Sequence, residues 1–403
     1  MNKSNFFTGQ PIFSQLISLI PKAAVHKAAR QNSSDRYCKR FNTWHHLITM
    51  LYSCYQHCTS LREVVSGMSA CEGRLQSLGI IHLPARSTLA DANNRRSYEV
   101  FEQVYLSLYN EHHRFLADSR SDKLSKRMII IDSTTISLFQ EILKGAGCPG
   151  LNGKKKGGIK VHTAIRANED VPYLIRFSAA AKADVNFLKE INLPKGSIVV
   201  MDRGYKSYSK FQEWNIAGID WVTRMQSNSV FEVTKDRLIT EHHKKNGVTS
   251  DQNIILGFKN KKIQQVKCRL VRYYDEVTKR VFAFLTNNFL WSPVTIAEIY
   301  KRRWQIELLF KRLKQNMPLQ YFLGDNENAI KVQIYCALIA DLLLRVATKG
   351  IKRKWSFSNL ASIIRLHLMN YTHLRNFLEH PEKCRIVNPA VDTSPQLKFN
   401  LSG

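Results

Sequence analysis

The sequence is short of acids, of cysteine and of long apolar runs, and each shortage excludes something. Asp and Glu number 32 against 60 Lys and Arg, a formal net charge of +28 over 403 residues, and the pI is about 9.8. So lopsided a balance makes a polyanion the expected partner, nucleic acid before others. No apolar stretch approaches the ~20 residues a membrane span requires, so no membrane partner is expected. The start, Met1 to Gln10, lacks the layout of a secretion signal. The eight cysteines are scattered singly apart from Cys54 and Cys58. That argues against a secreted, disulfide-stapled protein and for a reducing cytoplasm. What is present is 44% hydrophobic residues, enough to bury a sizeable core, in a length that suits two or three domains.

Up to about Arg120 the pattern is helical. Pro11 to Ala29, Trp44 to Tyr55, Ser60 to Met68, a stretch opening at Ser87, and Tyr98 to Leu116 carry apolar residues at helical spacing. Ser60 with Glu63 forms a capping-box pattern. Arg62, Arg74, Arg86, Arg95 and Arg96 lie near the ends of short helices, as in a helix-turn-helix-like module that contacts phosphate. An ordinary solvated bundle would show the same pattern. Cys54 and Cys58 flank His57, but no partner ligands recur at metal-binding spacing, so they read as core cysteines.

From Arg127 the chain turns to mixed α/β. Met128 to Leu138, Ile159 to Arg166, Tyr173 to Ala179, Ser197 to Met201 and Ile219 to Arg224 read as strands, with a Gly/Lys-rich loop holding Lys154, Lys155 and Lys156 after the first. Asp132 follows three isoleucines, and Asp202 closes the continuously apolar run SIVVM. Asp is depleted inside strands, and a buried carboxylate must be paired or bound to metal. The carboxyl end of a buried strand is also where open α/β sheets place ligands. Residues 226–290 alternate short β-like runs with polar turns, and their second half is dense in cations: Lys259, Lys261, Lys262, Lys267, Arg269, Arg272, Lys279 and Arg280. We read a β-rich insertion with a basic face suited to DNA; a solvated sheet surface is the bland alternative.

Thr295 to Gln315 reads as one helix, stopped by Pro318. On an ideal helix Tyr300, Arg303, Glu307 and Lys314 share an arc of about 60°. Glu307 then sits at the rim of the apolar stripe of Ile299, Ile306, Phe310 and Leu313, while Lys301 and Arg312 point towards solvent and Trp304 towards packing. A surface ion-pair ladder would use several acids; one acid among cations fits phosphate recognition around a metal-binding carboxylate better.

The spacing Tyr300-x2-Arg303-x3-Glu307-x6-Lys314 resembles the Tyr-Arg-Glu-Lys signature of the DDE transposases of bacterial insertion sequences, insertion-sequence-four family. IDSTTISL around Asp132, GGIKVHTAI around His162 and VVMDRGYKSY around Asp202 resemble that family's other blocks in the same order, and FSQLISLIP and RSTLADANNRR resemble a helical domain preceding the core in one branch.

The resemblance implies an α/β chain whose ribonuclease H-like catalytic core is interrupted by a β-rich insertion, with an N-terminal helical DNA-binding domain and a helical C-terminal tail. Its segments would be residues 1–125 for the N-terminal domain, 126–225 and 291–350 for the core, 226–290 for the insertion and 351–403 for the tail. It implies Asp132, Asp202 and Glu307 as catalytic and metal-binding acids, and Tyr300, Arg303 and Lys314 as DNA contacts. Mg2+, replaceable by Mn2+ and bound as two ions, is the implied cofactor. The enzyme would bind terminal inverted repeats, cleave DNA at the element's ends and join the 3′-OH ends to target DNA, by cut-and-paste through a hairpin. Expected with this are a homodimer on double-stranded DNA, in which Lys331 to Thr348 and Ser356 to Leu378 take part, and a cytoplasmic, nucleoid-associated location. An aromatic side chain would hold a flipped base, with Trp291 as a candidate. The rival readings are a nuclease without strand transfer and a non-catalytic DNA-binding remnant of a decayed element.

Overall fold

The computed structural model describes residues 9–71, 73–118, 122–137, 158–257 and 265–383. The loop cations Lys154, Lys155 and Lys156, and Lys259, Lys261 and Lys262 of the insertion, lie outside the described residues.

Seven helices come first: α1 (Ile12–Ile17), α2 (Lys22–Gln31), α3 (Thr43–Gln56), α4 (Leu61–Ser69), α5 (Arg86–Arg95), α6 (Tyr98–Leu116) and the short α7 (Lys123–Arg127). The single stretch expected over Pro11 to Ala29 is two helices, because Pro21 lacks the N–H that would continue α1 and pushes the residue before it out of the helical region. Ser60 caps α4 by accepting from the Glu63 amide, but the Glu63 carboxylate reaches back to Thr59 rather than to Ser60. Cys54 and Cys58 are buried, and burial pushes both thiols up to about 12. Of the five arginines read as phosphate contacts, Arg96 is buried, bonded to the Phe41 carbonyl and lying over the Phe41 ring; the other four are exposed.

Five strands follow: β1 (Met128–Ser137), β2 (Gly158–Arg166), β3 (Pro172–Ala179), β4 (Ile198–Met201) and, after α8 (Tyr208–Ala217), β5 (Asp220–Arg224). They lie in the order β3-β2-β1-β4-β5, with β1, β4 and β5 parallel and β2 and β3 antiparallel. This is the ribonuclease H-like arrangement that the motifs implied. Alternation sorts the side chains cleanly: Ile130, Ile136, Val200 and Val222 enter one core, and Ile129, Ile131, Val199 and Met201 the other. β4 is buried on both faces, which is why it reads as an unbroken apolar run.

The insertion adds β6 (Phe231–Asp236), a short α9 (Glu241–Lys245), β7 (Val248–Leu256), β8 (Val266–Asp275) and β9 (Arg280–Thr286). These strands extend the same sheet, β9 pairing antiparallel with β5, to give nine strands in all. The basic face is thinner than the composition implies, because Arg269 is 1% exposed and clamped through two nitrogens to Asp251 at 2.7 and 2.6 Å.

The remaining helices are α10 (Pro293–Lys301), α11 (Trp304–Asn316), α12 (Glu327–Thr348), α13 (Phe357–His367) and α14 (Leu374–Glu379). α12 is buried along nearly its whole length, packed against α3, α5 and α6, so its apolar surface is used inside the chain and is not available to a dimer. The tail is stitched to α1, where the Ile12 and Phe13 amides donate to the Asn370 and Leu368 carbonyls.

Arg312 does not point to solvent. It bonds Asp341 at 2.8 Å and Asp170 at 3.4 Å, and Arg345 binds the same two acids. Asp341 on α12 is 1% exposed, so its pairs with Arg312 and Arg345 lie away from water, and the half-exposed Asp170 ties the same arginines to the β2–β3 turn. Removing one member of a buried pair strands the others. Asp341→Asn should therefore destabilise the chain by about 3 kcal/mol, read as a lowered urea midpoint with an unchanged slope; a midpoint within error of the native one would refute the role.

Candidate active site

Two strands bring the first two acids together. β1 and β4 run parallel with Ile131 opposite Met201 as their last pair, and the next residues are Asp132 and Asp202. Neighbouring strands lie about 4.8 Å apart, so the two carboxylates stand side by side on the same face, the face covered by α10 and α11. Asp132 is midway along β1 and Asp202 just past the end of β4.

The expected single helix is broken there. α10 ends at Lys301 and α11 begins at Trp304, and between them the Arg303 amide bonds the Tyr300 carbonyl, Gln305 bonds Arg302, and Ile306 bonds Arg303. These are three-residue spacings, so the turn is tighter than α and rotates each residue by about 120° rather than 100°. Trp304 is consequently 59% exposed rather than packed. Trp291 is partly buried against the larger core. Arg302 holds the turn from one side, its guanidinium bonding both oxygens of Asp122 at 3.0 and 2.9 Å just ahead of β1.

Arg303 holds it from the other side and links the acids. One of its terminal nitrogens donates to Asp132 at 2.6 Å and the other to Glu307. Tyr300 is buried against Phe284 and donates to Asp202 at 3.3 Å, and burial pushes its hydroxyl up to about 12, so it stays a donor. The break therefore keeps Tyr300, Arg303 and Glu307 together on the acids. Lys314 lies farther along α11, donating to the Thr135 carbonyl at 3.1 Å, and desolvation holds its ammonium below the ordinary lysine range.

Behind the site, on the opposite sheet face, is a polar cluster that the sequence did not reveal. Asp184 accepts from the Ser133 hydroxyl at 3.0 Å and pairs with Lys160 at 3.0 Å, while His162 lies 3.3 Å from the Tyr205 hydroxyl and 2.8 Å from that of Ser178. A Cβ on Gly204 would come within 3.1 Å of the Asp184 carboxylate, so the turn carrying Asp202, Gly204 and Tyr205 leans directly on this acid. Nothing in the pattern around Asp184 marks it; only the His162 block hinted at the place.

Residues 123–343 match the transposase DDE domain family, just over half of the chain. The chain belongs to the DDE transposases. Residues 8–81 match a domain of unknown function (DUF4372). The transposase is 32% identical over 271 residues to a transposase of Sinorhizobium fredii, covering 66% of this chain and 72% of that one. It is 28% identical over 271 residues to a transposase for the insertion sequence element IS4SA of Synechocystis (64% and 71%). To a transposase for the element IS5377 of Geobacillus stearothermophilus it is 24% identical over 261 residues (64% and 66%). Among solved structures, a piggyBac transposase synaptic complex with hairpin DNA overlays with a TM-score of 0.44 at 12% identity, over 97% of this chain and 86% of that one.

DDE transposases cleave and rejoin DNA with divalent metal ions, and the acids suit such ions in chemistry more than in present spacing. Among the described residues no three potential ligands already converge, and a guanidinium stands between Asp132 and Glu307. The Asp132 carboxyl is raised to about 6, mainly by desolvation, with Asp202 and Glu307 adding to the rise and Arg303 opposing it. Hard carboxylate oxygens of this kind fit a divalent cation.

A carboxyl raised above its ordinary 3.8 favours the folded state at low pH. That contribution is whole below about pH 4 and lost as pH rises through about 6, worth at most about 3 kcal/mol. Without divalent ions, the melting temperature of Asp132→Asn minus that of the native chain should rise by a few degrees between about pH 4 and 7. A difference independent of pH would show that Asp132 is not desolvated.

Proposed function

We propose that Asp132, Asp202 and Glu307 are the catalytic acids and hold two Mg2+ ions, with Mn2+ as a substitute, and that Tyr300, Arg303 and Lys314 contact the transposon-end DNA. The observation that carries this is the register of β1 with β4, which sets two acids side by side on the face where α11 supplies the third. Bound divalent ions would neutralise the phosphate, activate water and stabilise the leaving oxygen. The chain's residues do the rest. With the acids engaged by ions, the Arg303 fork, which now bonds Asp132 and Glu307, would be free to take phosphate oxygens. Tyr300 keeps its proton and orients Asp202. Lys314, tethered at the far end of β1, presents a cation along the strand that is cut. Of the two tryptophans near the site, Trp304 is the one whose ring faces solvent, and we assign it rather than Trp291 to holding an unstacked base.

In this reading the enzyme binds the terminal inverted repeats of its insertion sequence and nicks at their ends. Each freed 3′-OH attacks the opposite strand to close a hairpin and release the flanking DNA. Water then opens the hairpin to free the 3′-OH again, and that 3′-OH joins target DNA. A homodimer would hold the two ends. The helices of residues 1–125 form the DNA-binding domain, with Arg62, Arg74, Arg86 and Arg95 as its exposed cations; 126–225 and 291–350 form the core, 226–290 the insertion and 351–403 the tail. No helix among the described residues is long and apolar enough to cross a membrane, and we place the protein in the cytoplasm with the nucleoid.

The test is a labelled duplex carrying the element's own end, incubated with Mg2+ and either the native protein or Glu307→Gln. The native protein should cut at the element boundary. The variant should bind equally but cleave about a thousandfold more slowly. Equal cleavage by both would remove Glu307 from the triad, and cutting without joining would leave a nuclease.

A further inference from the structure

At the other end of the same strands lies a second cationic site. A cleft of about 410 Å³ opens where β1 and β4 begin, lined by Lys126, Arg127, Arg166 and Lys195 with Tyr173, and no carboxylate lines it. Ile129 in its wall and Asp132 are three residues apart on β1, about 10 Å by strand rise, and alternation points them to opposite faces of the sheet. DNA seated on the acids therefore does not reach the cleft by the same path.

The two arginines are held in place. Arg127 donates from Nε to the Gly196 carbonyl at 2.5 Å, with Asp220 3.7 Å from its Nη2. Arg166 is braced by Glu169 at 3.3 Å and lies over the Tyr173 ring, 5.5 Å from its centre. The lysines differ: both are exposed, and neither has a carboxylate partner among the described residues. Lys195 lays its stem along Gly218 at the end of α8, where an added Cβ would meet it at 3.2 Å, so its ammonium is directed rather than loose. The Tyr173 hydroxyl is buried with no partner among the described residues.

We infer that this cleft binds the sugar-phosphate backbone of one strand of a DNA segment outside the catalytic centre. Fixed guanidinium groups beside free ammonium groups suit phosphates in a row. Arg166 caps one face of the Tyr173 ring and the charged groups lining the cleft are all cations, which suits it to backbone rather than to sequence. Its volume takes one strand edge and not a duplex. A DNA transposase must hold more DNA than the bond it cuts, and this surface supplies a contact independent of which acids bind metal.

The test uses the full chain with Lys126→Glu/Lys195→Glu, and with Lys126→Gln/Lys195→Gln as a milder pair in case the reversal disturbs folding. Binding to a labelled duplex of unrelated sequence is measured from about 50 to 200 mM salt. Losing two phosphate contacts should make the slope of log affinity against log salt shallower by about 1.8, while metal-dependent cleavage of a short end duplex at low salt is retained. An unchanged slope in both folded variants would overturn the proposal. So would a native slope that falls to the variant value on adding millimolar inorganic phosphate at constant ionic strength, since that identifies a small-anion site. Loss of cleavage with an unchanged slope would also count against it.

Discussion

Like charges brought together out of water repel, and the catalytic end of this fold is organised around that cost. Parallel pairing of β1 with β4 places Asp132 beside Asp202, and α11 adds Glu307. Arg303 lowers the strain by bridging two of the acids, and Tyr300 bonds the third. Burial adds to that cost: desolvation first, and the two neighbouring acids after it, raise the Asp132 carboxyl to about 6. In the function proposed above, a divalent cation held by these acids would relieve repulsion that the protein's own groups only partly offset.

Holding such a site requires rigid supports, and the structure supplies them on every side. Arg302 locks the α10–α11 turn to the segment before β1. The Arg312–Asp341–Arg345–Asp170 cluster joins α11 to α12 and the β2–β3 turn. Asp184, on the opposite face, backs the turn after Asp202. The N-terminal helices and α12 share one apolar core with the catalytic face of the sheet, so the helices expected to grip DNA are mechanically continuous with the residues expected to cut it.

The insertion follows the same logic. It does not hang from the core as a separate module but continues its sheet through β9, and Phe284 of that strand packs against Tyr300. One aromatic contact thus joins the insertion to the site. The buried Arg269–Asp251 pair inside the insertion serves its packing, which leaves fewer cations for DNA than a count of lysines and arginines implies.

Much of this was legible along the chain because local pattern carries it. Isoleucines running into Asp132, an apolar run ending at Asp202, and the spacing from Tyr300 to Lys314 marked the strands and the residues that meet; backbone alternation and helical periodicity depend only on near neighbours. What stayed hidden were the fates of individual charges. Arg96, Arg269 and Arg312 look like surface cations, and each is drawn largely out of water because its partner (the Phe41 carbonyl, Asp251 or Asp341) comes from a distant part of the chain. The break at Arg302 and Arg303 was hidden for the same reason, since no proline or glycine marks it and both arginines are drawn to acids far away in sequence. Sequence alone thus determined the order of strands and helices and which acids and cations of the candidate site the fold would bring near one another. Only the tertiary structure decided which charges face water and which face each other, because desolvation and ion pairing depend on neighbours that distance along the chain does not predict.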